Sequence, residues 1–345
     1  MIKTQRSKSR NVVRLLNTLA ACLMLGVVLG ACKPAPTPPP TATVTLAPTL
    51  TSPPVPTATI TLTPTPANTS TPEVTPTPAQ IELIGAGEIV NCGNPGSGIT
   101  ANLLAQFPGA TIFTAGDNSN VIGTPLEFSK CFGPTWGRFL ASIHPAVGDH
   151  EYYNKNAKAY FDYFGAAAGT PGQGWYSYDL GSWHIIVLNS QCAQVGGCEA
   201  GSPQEDWLKA DLTAHPAHCS MAVWHIPRYN VFFAQGMPFL DDIWKDLYNA
   251  GVELVVNAHY YYYARFAPLD LAGNVNDAHG IREFIVGTGG APLDKRDWTC
   301  SGKCLVFDHK TLGLLKLTLH PDGYDWAFVP EPGKTFSDAG SGTCH

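Results

Sequence analysis

Short apolar runs, partly β-branched, recur along the chain at 81–84, 111–114, 143–147, 221–224 and 253–256. Runs of this length without polar alternation predict strands covered on both faces. Helical patterns lie between and after them. The clearest opens at Ser202-Pro203-Gln204-Glu205, a capping box with proline at the first helical position, and carries Trp207, Leu208 and Leu212 along one side. A second sets Leu240, Ile243, Trp244 and Leu247 on one face and stops at Gly251. Strands alternating with helices predict an α/β fold around a mainly parallel sheet.

Each strand run is followed by a block with a side chain able to ligate a metal. These are Gly87-Glu88, Gly116-Asp117, Gly148-Asp149-His150-Glu151, His225 and His259. Ligands of such sheets collect beyond the carboxyl ends of the strands, so residues this far apart in the chain are expected to converge there. A single Gly-Asp is an ordinary turn. Two aspartates and two histidines, each directly behind an apolar strand, instead form a donor set suited to zinc, manganese or iron. The run Tyr260 to Tyr263 reads either as an aromatic cluster packed over the sheet or as a stacking surface.

Composition divides the 345-residue chain into three parts. Residues 1–32 begin with Lys3, Arg6, Lys8, Arg10 and Arg14, followed by an apolar stretch too short for an ordinary membrane span. That stretch ends in Leu29-Gly30-Ala31-Cys32, which resembles the lipobox of bacterial lipoproteins. The resemblance implies a signal peptide cleaved before Cys32 and lipid on its sulfur. The protein would then be extracytoplasmic and membrane-anchored, at the cell surface or on the periplasmic side. In residues 33–80, proline and threonine fill 29 of 48 positions, so this part is expected to be a disordered stalk. At about 3.1 Å per residue it reaches at most on the order of 150 Å. Residues 81–345 suit one large domain.

Charge and cysteines sharpen this picture. The leader and stalk hold six of the 21 basic residues and one of the 27 acidic ones, which leaves the domain 15 against 26, a net −11. No nucleic-acid partner is expected from that balance. With Cys22 and Cys32 set aside, eight cysteines remain, an even number that in an exported domain suggests disulfides, although 105 pairings exist. Cys192 with Cys198 and Cys300 with Cys304 would close small loops. Cys192 follows a strand and Cys219 precedes one, which puts them at opposite edges of a parallel sheet and leaves Cys92 with Cys131 and Cys219 with Cys344. A zinc knuckle at Cys300 and Cys304 is the rival, but no second pair stands at the right spacing.

Taken together, the blocks resemble the calcineurin-like metallophosphoesterases, and within them the purple-acid-phosphatase-like branch. The resemblance extends over nearly all of residues 81–345, including YFDYFG, GWYSYDLGSWHIIVLNS, AGSPQEDWLKADL, IREFIVGTGG and AGSGTCH. It implies a four-layer sandwich of two mixed β-sheets flanked by helices. The family pattern of GD, GDxxY, GNH with a following acid, a strand-end histidine and GHxH falls on Glu88, Asp117 with Asn120, Asp149-His150-Glu151, His225 and His259 with Tyr261. The resemblance therefore implies Asp117 as a carboxylate bridging two cations, with Asp149, His225 and His259 on the second. The first cation would fall to Glu88, Asn120 and Tyr261, where the pattern has aspartate, tyrosine and histidine. All three changes meet one metal, so that position is either rebuilt or empty. One or two divalent or trivalent transition ions (Fe, Mn or Zn) would bind a phosphate-ester substrate, monoester or diester, and activate a hydroxide for in-line attack. His150 would serve the leaving oxygen with Glu151 holding its ring, Asn118 would orient Asp117, and Arg228 and Arg265 are candidates for substrate contact. The alternative implied by the substitutions is an impaired pseudo-phosphatase kept as a surface binding module. Oligomeric state is not legible.

Overall fold

The computed structural model describes residues 81–232, 236–300 and 302–345. The signal peptide, Cys32 and the stalk lie outside the described residues. In chain order the strands are β1 (Ile81–Ala86), β2 (Thr111–Ala115), β3 (Ile143–Ala146), β4 (Tyr176–Leu180), β5 (Trp183–Val187), β6 (Cys219–Val223), β7 (Leu254–Asn257), β8 (Tyr263–Leu269), β9 (Ile281–Val286), β10 (Cys304–Asp308), β11 (Gly313–His320), β12 (Gly323–Pro330) and β13 (Ala339–Thr343). One sheet runs β13-β12-β11-β1-β2-β3 and the other β10-β8-β9-β7-β6-β5-β4.

All five apolar runs are strands, with ends displaced by a residue or two: they are β1, β2, β3, β6 and β7. The expectation of a mainly parallel sheet holds in the middle of each sheet, where β1, β2 and β3 pair in parallel, as do β5, β6, β7 and β9. It fails at the margins. There β4, β8 and β10 to β13 pair antiparallel, joined in part by tight connections such as Pro321-Asp322 between β11 and β12. Strands of that kind interrupt their apolar residues with polar ones, as GYDWAFVP does in β12, and escape a search for unbroken runs.

Alternation along the second sheet builds two cores. Met221, Val223, Leu254 and Val256 join residues of the first sheet such as Leu83, Leu315 and Leu317. Their neighbours Ala222, Trp224 and Val255 point the other way and pack with Leu208, Ile243, Trp244 and Leu247. This period of two is what a sheet covered by a second sheet on one side and by helices on the other requires. The covering helices are Pro203–Ala214 and Asp241–Asn249, those foreseen from their apolar stripes. The first is capped by Ser202, whose hydroxyl accepts from the Glu205 amide, but the Glu205 carboxylate turns to the Gly201 amide, so only half of the expected box forms. Two mixed sheets with helices outside them is the architecture implied by the resemblance.

All four expected disulfides are present: Cys92–Cys131, Cys192–Cys198, Cys219–Cys344 and Cys300–Cys304. Such bonds belong to an oxidising compartment. Cys219–Cys344 spans 125 residues and ties the start of β6 in one sheet to the end of β13 in the other, whereas Cys300–Cys304 spans four. Loop-closure entropy makes the long tie worth about 5 kcal/mol and the short one about 2. Denaturant melts should therefore show a larger loss for the Cys219→Ala, Cys344→Ala double variant than for Cys300→Ala, Cys304→Ala; equal losses would contradict the entropic account.

Candidate metal centre

The loops after β1, β2, β3, β6 and β7 meet at one rim. Backbone hydrogen bonds continue past the strands: Ile89 N–H donates to the Asp117 carbonyl and Asn120 N–H to that of Val90, which sets Glu88 and Asp117 side by side. Glu88, Asp117 and His259 all have positive φ, at 55°, 49° and 64°. Such angles cost a non-glycine residue roughly 1–2 kcal/mol each and persist only where the surroundings impose them. The loops also touch at their glycines. A Cβ on Gly116 would lie 2.5 Å from His225 Nδ1, and one on Gly148 would lie 2.1 Å from Asp117 Oδ1.

Four donors converge. His225 Nε2 is 2.8 Å from Asp149 Oδ1 and 3.4 Å from Asp117 Oδ1, while His259 Nδ1 is 3.0 Å from Asp149 Oδ1 and 3.2 Å from His225 Nε2. A tetrahedral cation with bonds of about 2.0–2.1 Å sets its donors about 3.3 Å apart, so the spacing fits one transition ion. The tautomer fits as well. His225 Nδ1 faces the Ala115 carbonyl at 2.9 Å; a carbonyl only accepts, so Nδ1 carries the proton and Nε2 is turned to the carboxylates. Glu88, Asp117 and His225 are sealed from solvent, whereas the Asp149 and His259 side chains are 26% and 29% exposed and form the open side.

The position expected for a first cation is built differently. The Asn120 amide donates to Glu88 Oε2 and, at 3.1 Å, to Asp117 Oδ2, so one NH2 group links the two carboxylates. Tyr261 is hydrogen-bonded to Asn120, and its phenol is pushed up, first by burial and then by the Glu88 charge, away from the ionised form that binds metal well. Glu88 Oε1 is buried without a hydrogen-bond partner and lies 3.9 Å from His225 Nε2. Glu88 also stands with His225 and His259 in a group whose ligand atoms lie within 4.8 Å of one another, so the same carboxylate serves a hydrogen-bonded arrangement with Asn120 and a donor set beside His225.

Electrostatics follow this division. Burial, then the Asp117 charge, raises the Glu88 carboxyl far above its usual range, and burial raises that of Asp117. Burial opposes ionisation of Asp149 too, but hydrogen bonds from His225 and His259 hold it well below normal. Burial would lower the His225 imidazole, but Asp117 and Asp149 outweigh it and raise it strongly.

Other expected residues are placed as follows. His150 stands at the mouth, its Nδ1 donating to the Val121 carbonyl at 2.9 Å and its Nε2 3.7 Å from Asp117 Oδ2. Glu151 does not hold that ring. Its buried carboxylate instead accepts from the amides of Gly148 (2.7 Å), Ser119 (2.9 Å) and Asp117 (3.1 Å), because the helical turn at Asp149–Tyr152 points it back under both loops. Asn118 donates to the Ala146 carbonyl, bracing its loop against the end of β3, with no side-chain bond to Asp117 among the described contacts. Arg228 pairs with Asp241, and Arg265 pairs with Asp338 through two bonds; no described contact joins either to the cluster. Sequence reasoning missed the Ala115 and Val121 carbonyls, which carry no side-chain signal.

No protein-family model and no curated protein matches the chain. Solved structures do. The purple acid phosphatase PPD1 from yellow lupin (Lupinus luteus) seeds aligns with a TM-score of 0.63 at 16% identity over 77% of this chain and 54% of its own, so this chain spans about half of that enzyme. GAP50, described as the anchor in the inner membrane complex of Plasmodium, aligns at 0.60 and 15% identity over 77% and 89%. PhoD aligns at 0.50 and 16% identity over 76% and 68%. The chain has the calcineurin-like metallophosphoesterase fold.

Because Glu151 serves three amides of two loops, Glu151→Gln would turn an NH2 group toward backbone donors and leave at least one N–H unmatched. Unfolding experiments should register a loss of roughly 2–4 kcal/mol, accompanied by weaker metal retention; unchanged stability would mean that the loops are held by something else.

Proposed function

We propose that this chain is a metal-dependent phosphoesterase, displayed outside the cytoplasm through lipid on Cys32, that holds one Fe, Mn or Zn ion between Asp117, Asp149, His225 and His259. The observation that carries the reading is the set of 2.8–3.4 Å contacts that link His225 to Asp117, Asp149 and His259, and His259 to Asp149, on a rim open on one side. A cation bound there supplies positive charge for a phosphate oxygen and acidifies water. Asp149 and His259 border the open side and leave room for a phosphate group. The Ala115 carbonyl keeps Nε2 of His225 directed inward. His150 is held by Val121 so that Nε2 stays at the mouth, in position to give a proton to a leaving oxygen. Glu88, Asn120 and Tyr261 hold the neighbouring position by hydrogen bonds, which supports one cation in preference to two. The substrate class is a phosphate monoester or diester.

A second reading has its own observation. The Asn120 amide stands between Glu88 and Asp117, where a paired centre needs a cation. Losing one of two ions removes half of the clamp on phosphate and costs a thousandfold or more in rate, about 4 kcal/mol of barrier. The chain would then be a displayed binding module, a use of the fold in keeping with GAP50, the Plasmodium anchor.

Elemental analysis of the purified protein should find one transition ion per chain. Hydrolysis of an activated aryl phosphate should fall at least a hundredfold in Asp149→Ala and vanish in Asp117→Ala. Absence of metal and of turnover across Fe, Mn and Zn would defeat the enzyme reading. If Glu88→Asp, Tyr261→His and Asp149→Asn together create activity from background, the binding-module reading gains.

A further inference from the structure

A second cluster of ligating side chains lies at the opposite rim of the seven-stranded sheet. His184 sits in β5 opposite Ser220 at the start of β6, whereas His225 follows the end of β6. Its two ring nitrogens face two carboxylates: Nδ1 is 2.8 Å from Asp179 Oδ1 and Nε2 is 2.9 Å from Asp211 Oδ2. Asp211 belongs to the last turn of the helix Pro203–Ala214, and His215 follows that helix directly. The His215 ring stacks on that of His184, with centroids 4.7 Å apart and planes 13° from parallel. His215 Nδ1 is 3.3 Å from Asp211 Oδ1 and 3.1 Å from the Asp211 carbonyl.

We propose that His184 Nε2, the Asp211 carboxylate and His215 Nδ1 form a second binding site for a zinc-like divalent cation, independent of the candidate centre. The three ligand atoms lie within 4.8 Å of one another. Two imidazoles and one carboxylate are the donor set of a three-ligand zinc site with an open fourth position. A cavity of about 380 Å³ lined by Asp179, His215 and His218 opens on the His215 side of the cluster, so solvent reaches that ligand. The supporting contacts are already made. Asp179 accepts from the far nitrogen of His184, the carboxylate–histidine arrangement that orients a metal-binding ring, and the Ser177 hydroxyl donates to Asp211 Oδ1 at 2.7 Å. Charge favours the cation over a proton. A protonated His184 between Asp179 and Asp211 leaves one negative charge over, whereas a divalent ion with neutral imidazoles balances both carboxylates. Binding gives up the proton on Nε2 of His184 and the His215 contact with the helix carbonyl, and it turns the exposed His215 ring out of its stack on His184, because a cation lies in the plane of each ring that binds it; in return it clamps the end of the helix to β4 and β5.

The competing account is an imidazolium held between two carboxylates with no metal. Zinc alone is the probe, by equilibrium dialysis with elemental analysis and by thermal melts. In Asp149→Ala, His259→Ala protein, which lacks two of the candidate centre's donors, one zinc equivalent should remain, with a Kd in the micromolar range or below, and it should raise Tm. Adding His215→Ala, a change at an exposed ring, should remove both. In the otherwise unaltered protein, His215→Ala should lower total zinc by one equivalent, which covers the case of an unstable multiple variant. Zinc taken up only at millimolar concentration, or a count unchanged by His215→Ala, overturns the proposal. Because the readout is zinc and Tm, its failure is separate from any failure of phosphoesterase activity.

Discussion

Three backbone N–H groups converge on the buried carboxylate of Glu151, and through them the loops after β2 and β3 share one anchor. The loop after β2 holds Asp117 at a φ of 49°, a conformation the residue would leave if released. The loop after β3 delivers Asp149 and, through the His150 amide, a 3.0 Å hydrogen bond to Asp117 Oδ1. Burial pushes the Glu151 carboxyl up to about 8, followed by the Asp117 charge, while amides of Ser119 and Gly148 oppose them. A group costly to bury and satisfied by three main-chain donors fixes geometry more firmly than surface contacts do. The spacing of the four donors rests on it.

Charge supports the proposal of a single cation. Around the two imidazoles stand Asp117, Asp149 and Glu88, all but Asp149 fully enclosed. A divalent ion balances Asp117 and Asp149. Glu88, raised first by burial and then by Asp117, is suited to keeping its proton and takes the Asn120 amide as its donor. On this account the departures at Glu88, Asn120 and Tyr261 form one consistent replacement of a cation by a proton and an amide.

The legibility of these features followed from how local their causes are. Apolar strands covered on both faces announce themselves as unbroken runs, so β1, β2, β3, β6 and β7 and the residues behind them could be found, as could two helices with apolar stripes. Disulfide pairing was legible in part: short spacing singles out Cys192 with Cys198 and Cys300 with Cys304, whereas opposite strand edges exclude only Cys192 with Cys219, one of many alternatives to the two long pairs. Margins were not, since β11 to β13 alternate and gain their stability from partners distant in sequence. The role of Glu151 was misread for the same reason: a family pattern ties it to the adjacent His150 ring, but the turn at Asp149–Tyr152 aims it at amides up to 34 positions away in the chain. Main-chain acceptors such as Ala115, which set the His225 tautomer, leave no mark in a sequence at all.

The two ends of β6 show how the fold reconciles strain with stability. Past its carboxyl end lie His225 and, in the neighbouring loop, His259 in a left-handed conformation. The carboxylates gathered there repel one another and three of the residues hold costly backbone angles, so that rim contributes little to folding and draws on the rest of the sandwich. At the amino end the order is reversed. Cys219 is bonded to Cys344 across the sheets, and beside it His184 is locked between Asp179 and Asp211, joining β4, β5 and the helix Pro203–Ala214. These ties include β6, whose other end leads to His225. A fold arranged in this way separates the rim that presents Asp117, Asp149, His225 and His259 from the rim that ties its strands together, so substitutions at the first leave the second intact.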